Sequence, residues 1–334
     1  MLKVFTAFSG YDSQCMALDK LNINYDLVGW SEIDKNAIKA HNAVYPQWVD
    51  CNYGDISKID WSQVPDFDLF TYSSPCTDFS TAGKMAGGEE GSGTHSSLLW
   101  ECRKAILAKK PKYLLFENVK NVIGKRFVET FEKWKNELHS YGYTNYVAVL
   151  NASNYNVAQN RERLFMISIL NDEKGYSFPA PIELNKSIKD YLQNEKVDDN
   201  FYLSDTLVKR CIDRGIKKEY SANKINVVSN FKICKHCCGR VININGISPT
   251  VMENYGDAVT IIEDLSNPYS IRKLTPREMF RLMGVNDDNI DKMLATDICR
   301  GQLYKLAGNS IVVDVLENIF KNLFINEKQY YKLF

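Results

Sequence analysis

The chain has 334 residues, 45% of them hydrophobic and 25% charged, and its formal net charge is zero. This composition is that of an ordinary globular protein of about two domains, and no run approaches the roughly eighteen apolar residues that a membrane span needs. A zero net charge gives no global attraction to nucleic acid, so a function of that kind has to rest on local charge.

The first residues show none of the pattern of a secretory signal. A strand-like apolar run begins directly at Leu2, so we expect a cytosolic protein. The nine cysteines are scattered from Cys15 to Cys299. An odd number spread in this way is typical of reduced thiols rather than of a disulfide framework, and one of them could be a nucleophile.

Short apolar runs alternate with helical patterns through the first half of the chain. The predicted strands are residues 2–8, 25–31, 67–73, 113–117, 146–150 and 164–170, and helices are predicted at 34–44 and 97–108. This alternation predicts βαβ units and a mostly parallel sheet. Ligands bind outside the carboxyl ends of strands in such sheets, so the residues that follow each strand are the first candidates for chemistry.

The second half of the chain is organised differently. After residue 170 the sequence becomes polar, and periodicity returns only near Leu274, so we predict a second domain between these points. From Lys209 to Arg240 there are nine basic and two acidic residues, which is either a solvated face or a phosphate-binding surface. A helix is predicted from Thr275, as N-cap, to Gly284, with a last helix after Ser310.

Candidate cofactor residues follow the first predicted strands. The turn at Phe8 and Gly10 could bring backbone amides close to a nucleotide, although one Gly after a strand is often an ordinary turn. Glu32 could accept the hydroxyls of a ribose or simply favour a helix N-terminus. Asp55 could accept a hydrogen bond from an adenine amino group or belong to a turn.

Two later positions are candidates for catalysis. Cys76 follows Pro75 and precedes a Gly-rich segment that reaches Gly93, so it is either buried filler or a nucleophile that a loop covers when substrate arrives. Glu117 lies at the predicted end of an apolar strand. Burial there would favour its neutral form and let it donate a proton or a hydrogen bond, and a capping role is the alternative.

In this order the motifs resemble the cytosine-5 DNA methyltransferase family, over nearly the whole chain except roughly residues 172–240. The family's Gln-x-Arg-x-Arg signature is present as Gln159, Arg161 and Arg163, and its late motifs are present at 272–284 and 307–311. The resemblance implies a Rossmann-like α/β sheet that binds S-adenosylmethionine. It also implies a catalytic domain of residues 1–171 plus 271–334 and a smaller target-recognition domain at 172–270.

The resemblance assigns roles to individual residues. The cofactor is expected to be surrounded by Phe8, Gly10, Glu32, Ile33, Asp55, Ile56, Pro75 and Asn309. Cys76 is expected to attack C6 of a flipped-out cytosine as a thiolate, after which C5 accepts the methyl group. Glu117 would engage N3 and the exocyclic amine, Arg163 would bind O2, and Arg161 would help to hold this arrangement.

The resemblance also implies partners. Within the recognition domain the expected contacts to double-stranded DNA are Lys209, Arg210, Arg214, Lys217, Lys218, Lys232 and Arg240. The cysteine and histidine cluster at 234–238 has no second pair to complete a zinc site, so no metal is predicted. We expect a monomer, and a separately encoded restriction endonuclease is left open as a partner.

Three positions depart from the family pattern. Asp12 stands where the first motif usually has its second Gly, Thr77 replaces a Gln, and His95 replaces an Arg. Asp12 tolerates a left-handed turn and is expected to leave a side chain near the cofactor. An RNA cytosine methyltransferase and a silent DNA- or cofactor-binding protein stay open as alternatives. A nicotinamide oxidoreductase would need none of these motifs.

Overall fold

The computed structural model describes residues 1–73, 95–232, 239–254, 256 and 258–326. Packing divides the chain into two compact units. Unit 1 comprises Met1–Leu150, Glu162–Ala180 and Leu316–Phe334, and unit 2 comprises Asn151–Arg161 and Pro181–Val315. This division differs from the predicted domain boundaries in three places, because it assigns residues 151–161 and 271–315 to unit 2 and residues 172–180 to unit 1. No helix of the described residues is long and apolar enough to cross a membrane.

Unit 1 is built on a six-stranded sheet in the order β2-β1-β3-β4-β6-β5. Its strands are β1 (Leu2–Ala7), β2 (Tyr25–Ser31), β3 (Leu69–Tyr72), β4 (Tyr113–Val119), β5 (Tyr143–Asn151) and β6 (Glu162–Leu170). β1 pairs in parallel with β2 and β3, β3 pairs in parallel with β4, and β6 is antiparallel to β4. The α/β class and the mostly parallel sheet are therefore confirmed.

Four helices follow the strands of unit 1, and they are α1 (Ser13–Lys20), α2 (Lys35–Val44), α3 (Cys102–Lys109) and α4 (Val128–Ser140). The predicted helix at 34–44 is confirmed, and Asp34 caps it by accepting from the amides of Asn36 and Ala37. The helix predicted at 97–108 is only partly right. Its first part is a 3-10 helix, His95–Glu101, that leads into α3.

Aromatic side chains fill the core between the sheet and its helices. Phe5 lies opposite Gly29 in the β1–β2 register, and a Cβ on Gly29 would lie 2.6 Å from the Phe5 ring. A larger residue at position 29 would therefore displace that ring. Trp134 of α4 donates to the hydroxyl of Tyr72 at 3.2 Å, which fixes the end of β3 against the helix layer.

Unit 2 contains a small sheet in the order β10-β9-β8-β7. Its elements are α5 (Asp205–Asp213), β7 (Val227–Asn230), β8 (Arg240–Asn243), β9 (Thr260–Ile262), β10 (Ile271–Lys273), α6 (Pro276–Leu282), α7 (Asp287–Leu294), α8 (Arg300–Asn309) and the start of α9 (Val313–Phe320). α5 covers one face of the sheet, and Cys211 and Val228 are buried in their shared core. The segment that lacked periodicity in sequence is thus folded.

The predicted start of α6 is confirmed in detail. Thr275 Oγ1 accepts from the Glu278 amide at 3.3 Å, and Glu278 Oε2 accepts from the Thr275 amide at 2.7 Å, so the two form a capping box. Glu278 also accepts two hydrogen bonds from Arg272, each at 2.8 Å. Arg272 is fully buried and donates to Glu263 at 2.7 Å as well. The late motif therefore forms a buried ionic network.

Candidate active site

The turn between β1 and α1 contains three left-handed residues, Phe8 (φ 55°), Gly10 (φ 60°) and Asp12 (φ 67°). The Asp12 amide donates to the Ser9 carbonyl at 2.9 Å and closes the turn. Of the three left-handed residues, only Gly10 adopts this conformation without crowding a Cβ. A Cβ added to Gly10 would have no atom of the described residues within 4 Å, so among them the turn faces open space on that side.

The expectation that Asp12 leaves a side chain near the cofactor is not what the structure shows. Asp12 is fully buried. Its Oδ2 accepts from Thr6 Oγ1 at 2.8 Å, and its Oδ1 accepts from the Cys15 amide at 3.2 Å. His41 Nε2 lies 3.6 Å from Oδ2. The carboxylate therefore binds polar groups within unit 1, because a buried polar group requires such partners.

The carboxylate of Glu32 joins the ends of β1 and β2. Its Oε2 accepts from the Gly10 amide at 3.0 Å, and its Oε1 accepts from the amides of Ile33 and Asp34 at 2.8 Å each. An ionised carboxylate offers about four lone-pair sites, so it can still accept from a ligand hydroxyl. The neighbouring Ile33 side chain is 68% exposed and presents an apolar surface beside it.

A third turn, at Gly54 and Asp55, is anchored by side chains. Ser31 Oγ donates to the Gly54 carbonyl at 2.6 Å. Asp55 accepts from the Ser57 hydroxyl at 2.8 Å and the Ser57 amide at 3.0 Å, and these bonds lower the pKa of its carboxyl group. Asp55 is therefore an acceptor. Ile56 is only 3% exposed, so its side chain belongs to the core and only its backbone could face a ligand.

Together these turns fit a nucleoside-like cofactor. Within the described part of the chain, space is open next to Gly10 and Gly54, because a Cβ on either would meet no described atom within 4 Å. The Ser9 hydroxyl is buried and has no hydrogen-bond partner among the described residues. With the Glu32 carboxylate for ribose hydroxyls and exposed Ile33 for an apolar ring, the donors and acceptors match such a group.

Glu117 and Arg163 are diagonal neighbours across the antiparallel pair β4–β6, because Glu117 pairs with Phe165 and Val119 pairs with Arg163. Arg163 Nε lies 3.4 Å from Glu117 Oε1, and both side chains are largely buried. The sequence suggested that Glu117 ends its strand, but the strand is longer. β4 continues to Val119, because Asn118 and Val119 pair with Leu164 and Arg163 of β6. The two predicted catalytic residues are thus brought together by strand register.

Gln159 and Arg161, the first two members of the signature, are buried within unit 2. Gln159 donates to the Leu282 carbonyl at 2.9 Å and accepts from the Val251 amide at 3.0 Å. Arg161 donates to the carbonyls of Val251 at 3.1 Å and Gly308 at 2.9 Å. These donors bind backbone of the same unit, so the two residues organise the protein rather than present groups to a substrate.

Asn309 is the last residue of α8 and is exposed. Arg161 Nη2 donates to the carbonyls on either side of it, at Gly308 and, at 2.7 Å, at Ser310. A Cβ on Gly308 would lie 2.4 Å from the Glu253 amide nitrogen, so glycine is required for this backbone approach. Asn309 belongs to unit 2, whereas the other described candidate cofactor residues belong to unit 1.

All seven predicted DNA-binding side chains are exposed in unit 2, and they are Lys209, Arg210, Arg214, Lys217, Lys218, Lys232 and Arg240. None of them forms an ion pair with another described residue. Arg214 donates to the Asn230 carbonyl at 2.8 Å. These side chains are therefore exposed cations that no described carboxylate neutralises.

Several predicted positions lie outside the described residues. They are Pro75, Cys76, Thr77, the Gly-rich segment up to Gly93 and the cluster at 234–238. The side chain of His95 is likewise not described. Within the described ranges no group of three or more His, Cys, Asp or Glu side chains could hold a metal ion.

Comparison with known proteins identifies relatives over nearly the full length. The model of a family described as C-5 cytosine-specific DNA methylase matches residues 2–325. The type II methyltransferase M2.ScrFI of Lactococcus lactis subsp. cremoris is 37% identical, and the match covers 97% of this chain and 99% of that protein. The type II methyltransferase M.Bsp6I of Bacillus sp. (strain RFL6) is 32% identical with the same coverage.

Solved structures share the fold. The S. pombe Dnmt2 methyltransferase has a TM-score of 0.73 at 19% identity, with 98% of this chain and 99% of that chain covered. A putative DNA modification methyltransferase encoded within an E. coli prophage has a TM-score of 0.69 at 19% identity, with 97% and 99% covered. At this identity the likeness shows the methyltransferase fold alone.

The family match and the full-length relatives confirm three predictions made from the motifs, namely the reaction, the DNA substrate and the cofactor. They exclude the oxidoreductase and favour DNA over RNA as the substrate. The chain belongs to the C-5 cytosine-specific DNA methylase family, whose members transfer a methyl group from S-adenosylmethionine to C5 of cytosine in DNA.

Proposed function

We propose that Cys76, Glu117 and Arg163 form the catalytic centre of this enzyme. The observation that carries the proposal is the 3.4 Å approach of Arg163 Nε to Glu117 Oε1, which sets a carboxylate and a guanidinium side by side. β3 ends beside them, because Tyr72 pairs with Phe116, the neighbour of Glu117. Cys76 follows Tyr72 by four residues in the sequence.

In the proposed reaction the Cys76 thiolate forms a bond to C6 of a flipped-out cytosine, and the electron pair of the C5–C6 double bond moves to C5. Glu117, as a protonated carboxyl group, donates to N3 and accepts from the exocyclic amine, and Arg163 donates to O2, so both stabilise the negative charge that the attack creates. After C5 has been methylated, a base or water takes up the C5 proton, and the C–H electron pair restores the double bond and releases Cys76 as a thiolate. Arg161 takes part as a positioning residue.

The proposed cofactor residues are Phe8, Gly10, Glu32, Ile33, Asp55, Ile56, Pro75 and Asn309. S-adenosylmethionine supplies the methyl group when it is bound. Glu32 would accept its ribose hydroxyls, Asp55 would accept from its adenine amino group, and Ile33 would pack on its ring. The free space beside Gly10 and the buried Ser9 hydroxyl support this placement.

The recognition region is proposed to read double-stranded DNA. Its seven exposed basic side chains would bind phosphates and so position the duplex, while base contacts set the sequence that is methylated. The type II names of the relatives support a role in restriction and modification, in which a separately encoded endonuclease cleaves unmodified DNA. We further propose that the protein acts as a monomer on DNA in the cytoplasm.

Bisulfite sequencing of DNA incubated with the protein and S-adenosylmethionine tests the proposal. We expect protected cytosines at one short recurring sequence, and no protection without the cofactor. Cys76→Ser should abolish protection, whereas Cys299→Ser, which changes an exposed thiol in the same way, should retain it. If the Cys76→Ser variant methylates as well as the wild type, the proposed mechanism is wrong.

A further inference from the structure

Asp12 is an unusual residue for the start of α1. It adopts a left-handed conformation (φ 67°, ψ 62°) at the position where the first family motif usually has Gly. Most residues at a helix N-cap are extended, and a left-handed side-chain-bearing residue crowds its own Cβ. A residue of this kind persists only where surrounding contacts hold it.

Those contacts come from three elements of unit 1. Thr6 of β1 donates to Oδ2 at 2.8 Å, and the Cys15 amide of α1 donates to Oδ1 at 3.2 Å. His41 of α2 approaches Oδ2 through Nε2 at 3.6 Å. Asp12 therefore connects the strand that leads into the turn with both of the first two helices.

His41 is fully buried and lies in an aromatic setting. Its ring stacks on Trp30, with centroids 3.8 Å apart and planes 22° apart, and its centroid is 5.6 Å from that of Tyr45. Neither ring nitrogen has a hydrogen-bond partner among the described residues. The 3.6 Å approach of Nε2 to Asp12 Oδ2 is an electrostatic contact that is longer than a hydrogen bond. Oδ2 of Asp12 is consequently the polar atom towards which Nε2 is held.

We propose that Asp12 and His41 are positioning residues for the cofactor turn. The turn from Ser9 to Asp12 carries the Gly10 amide, and that amide donates to Glu32 Oε2 at 3.0 Å. A displacement of Asp12 would move Gly10 relative to Glu32 because only one residue separates them. This inference rests on the proposed cofactor site.

Calorimetric titration of S-adenosylmethionine into the purified full-length protein tests the inference, and the methylation rate at saturating cofactor is measured beside it. Asp12→Ala should weaken binding about tenfold, because the Thr6 hydroxyl and the Cys15 amide no longer find an acceptor at this position. The rate at saturating cofactor should change less than about twofold. Asp12→Asn keeps one oxygen that can accept from the Cys15 amide, and its Nδ2 can donate to the Thr6 hydroxyl, so it should bind within about threefold of the wild type.

The matched control is Asp60→Ala. Asp60 also accepts from a nearby amide and hydroxyl, both of Ser62, but it lies in an exposed turn. We expect its cofactor affinity to equal that of the wild type. Thermal unfolding of each variant shows whether it is folded, and Asp12→Gly, which relieves the left-handed crowding, replaces Asp12→Ala if the latter does not fold.

His41 is tested by a double-mutant cycle with His41→Asn and Asp12→Ala, or with Asp12→Gly if Asp12→Ala does not fold. If both residues act through one contact, the double variant should lose no more affinity than the weaker-binding single variant. Losses that multiply would overturn the pairing. Folded Asp12→Ala or Asp12→Gly with unchanged affinity would overturn the positioning role. A wild-type protein that binds no cofactor would instead refute the proposed function.

Discussion

Arg161 and Gly308 are 147 residues apart in sequence and joined by a buried hydrogen bond of 2.9 Å from Nη2 to the carbonyl oxygen. The same nitrogen donates to the carbonyl of Ser310 at 2.7 Å. Arg161, the first arginine of the Gln-x-Arg-x-Arg signature, therefore fixes the backbone on both sides of Asn309. The signature therefore contains arginines with two different contacts. Arg161 binds backbone carbonyls, whereas Arg163 lies beside the Glu117 carboxyl group.

Arg161→Lys should destabilise the protein. A lysine ammonium cannot reach the three carbonyls that the guanidinium binds, and each buried carbonyl left without a donor costs about 1–3 kcal/mol. We expect a loss of about 2–4 kcal/mol in the free energy of unfolding, measured by urea denaturation. Arg163→Lys, two residues away and less buried, should cost about 1 kcal/mol or less. Equal losses would contradict the structural role of Arg161.

Gly308→Ala should also destabilise, through overpacking. Its Cβ would lie 2.4–2.6 Å from backbone atoms of Met252 and Glu253, and backbone cannot move aside as a flexible side chain can. We expect a cost of about 1–3 kcal/mol in thermal or urea unfolding. The control is Gly301→Ala in the same helix, where an added Cβ meets no atom of the described residues within 4 Å. We expect this control variant to be slightly more stable than the wild type. If Gly308→Ala leaves the free energy of unfolding unchanged, the backbone at Gly308 does not pack against Met252 and Glu253 as closely as these distances indicate.

Glu117→Gln should reduce methyl transfer by about two to four orders of magnitude, because an amide cannot supply the proton or the charge of the carboxyl group. Incorporation of labelled methyl groups into DNA measures the effect. The control is Glu162→Gln, which removes an exposed carboxylate that pairs with Lys120 at 3.2 Å. It should retain nearly full activity. Full activity of Glu117→Gln would remove this residue from the catalytic centre.

Replacing Lys217 and Lys218 by Gln should weaken DNA binding and its dependence on salt. Each lysine that no longer neutralises a phosphate lowers the slope of log K against log salt by about 0.9, so the double variant should show a slope smaller by about 1.8. Fluorescence anisotropy at several salt concentrations measures the slope. The control replaces Lys3 and Lys321, two exposed lysines of unit 1, by Gln, and this alters the net charge by the same amount. An equal change of slope would locate the DNA-binding surface elsewhere.

The sheet of unit 1 could be predicted because its strands are long and apolar enough to be recognised against the helices between them. The sheet of unit 2 could not, since strands such as β9, Thr260–Ile262, and β10, Ile271–Lys273, are only three residues long. Period-2 alternation needs about four to eight residues to be visible. Its strands are formed by tertiary pairing rather than by local pattern.

Within the site, the sequence indicated residue types better than contacts. The pairing of Glu117 with Arg163 depends on an antiparallel register that no local pattern contains. The resemblance predicted a holding role for Arg161 but not the carbonyls that it binds, and the buried role of Asp12 was not predicted, because its side chain was expected near the cofactor. One signal was present for Asp12. A carboxylate in a position that usually has Gly needs buried partners, and His41 lies on the apolar face of the predicted helix.

Glu32 already accepts three backbone amides in the protein alone, so the ends of β1 and β2 are ordered before any ligand arrives. Binding at this edge then requires little loss of chain entropy. Exposed side chains such as Ile33 can vary among relatives without rebuilding the turns. Affinity for the methyl donor can therefore drift or adapt in evolution independently of the stability of the sheet.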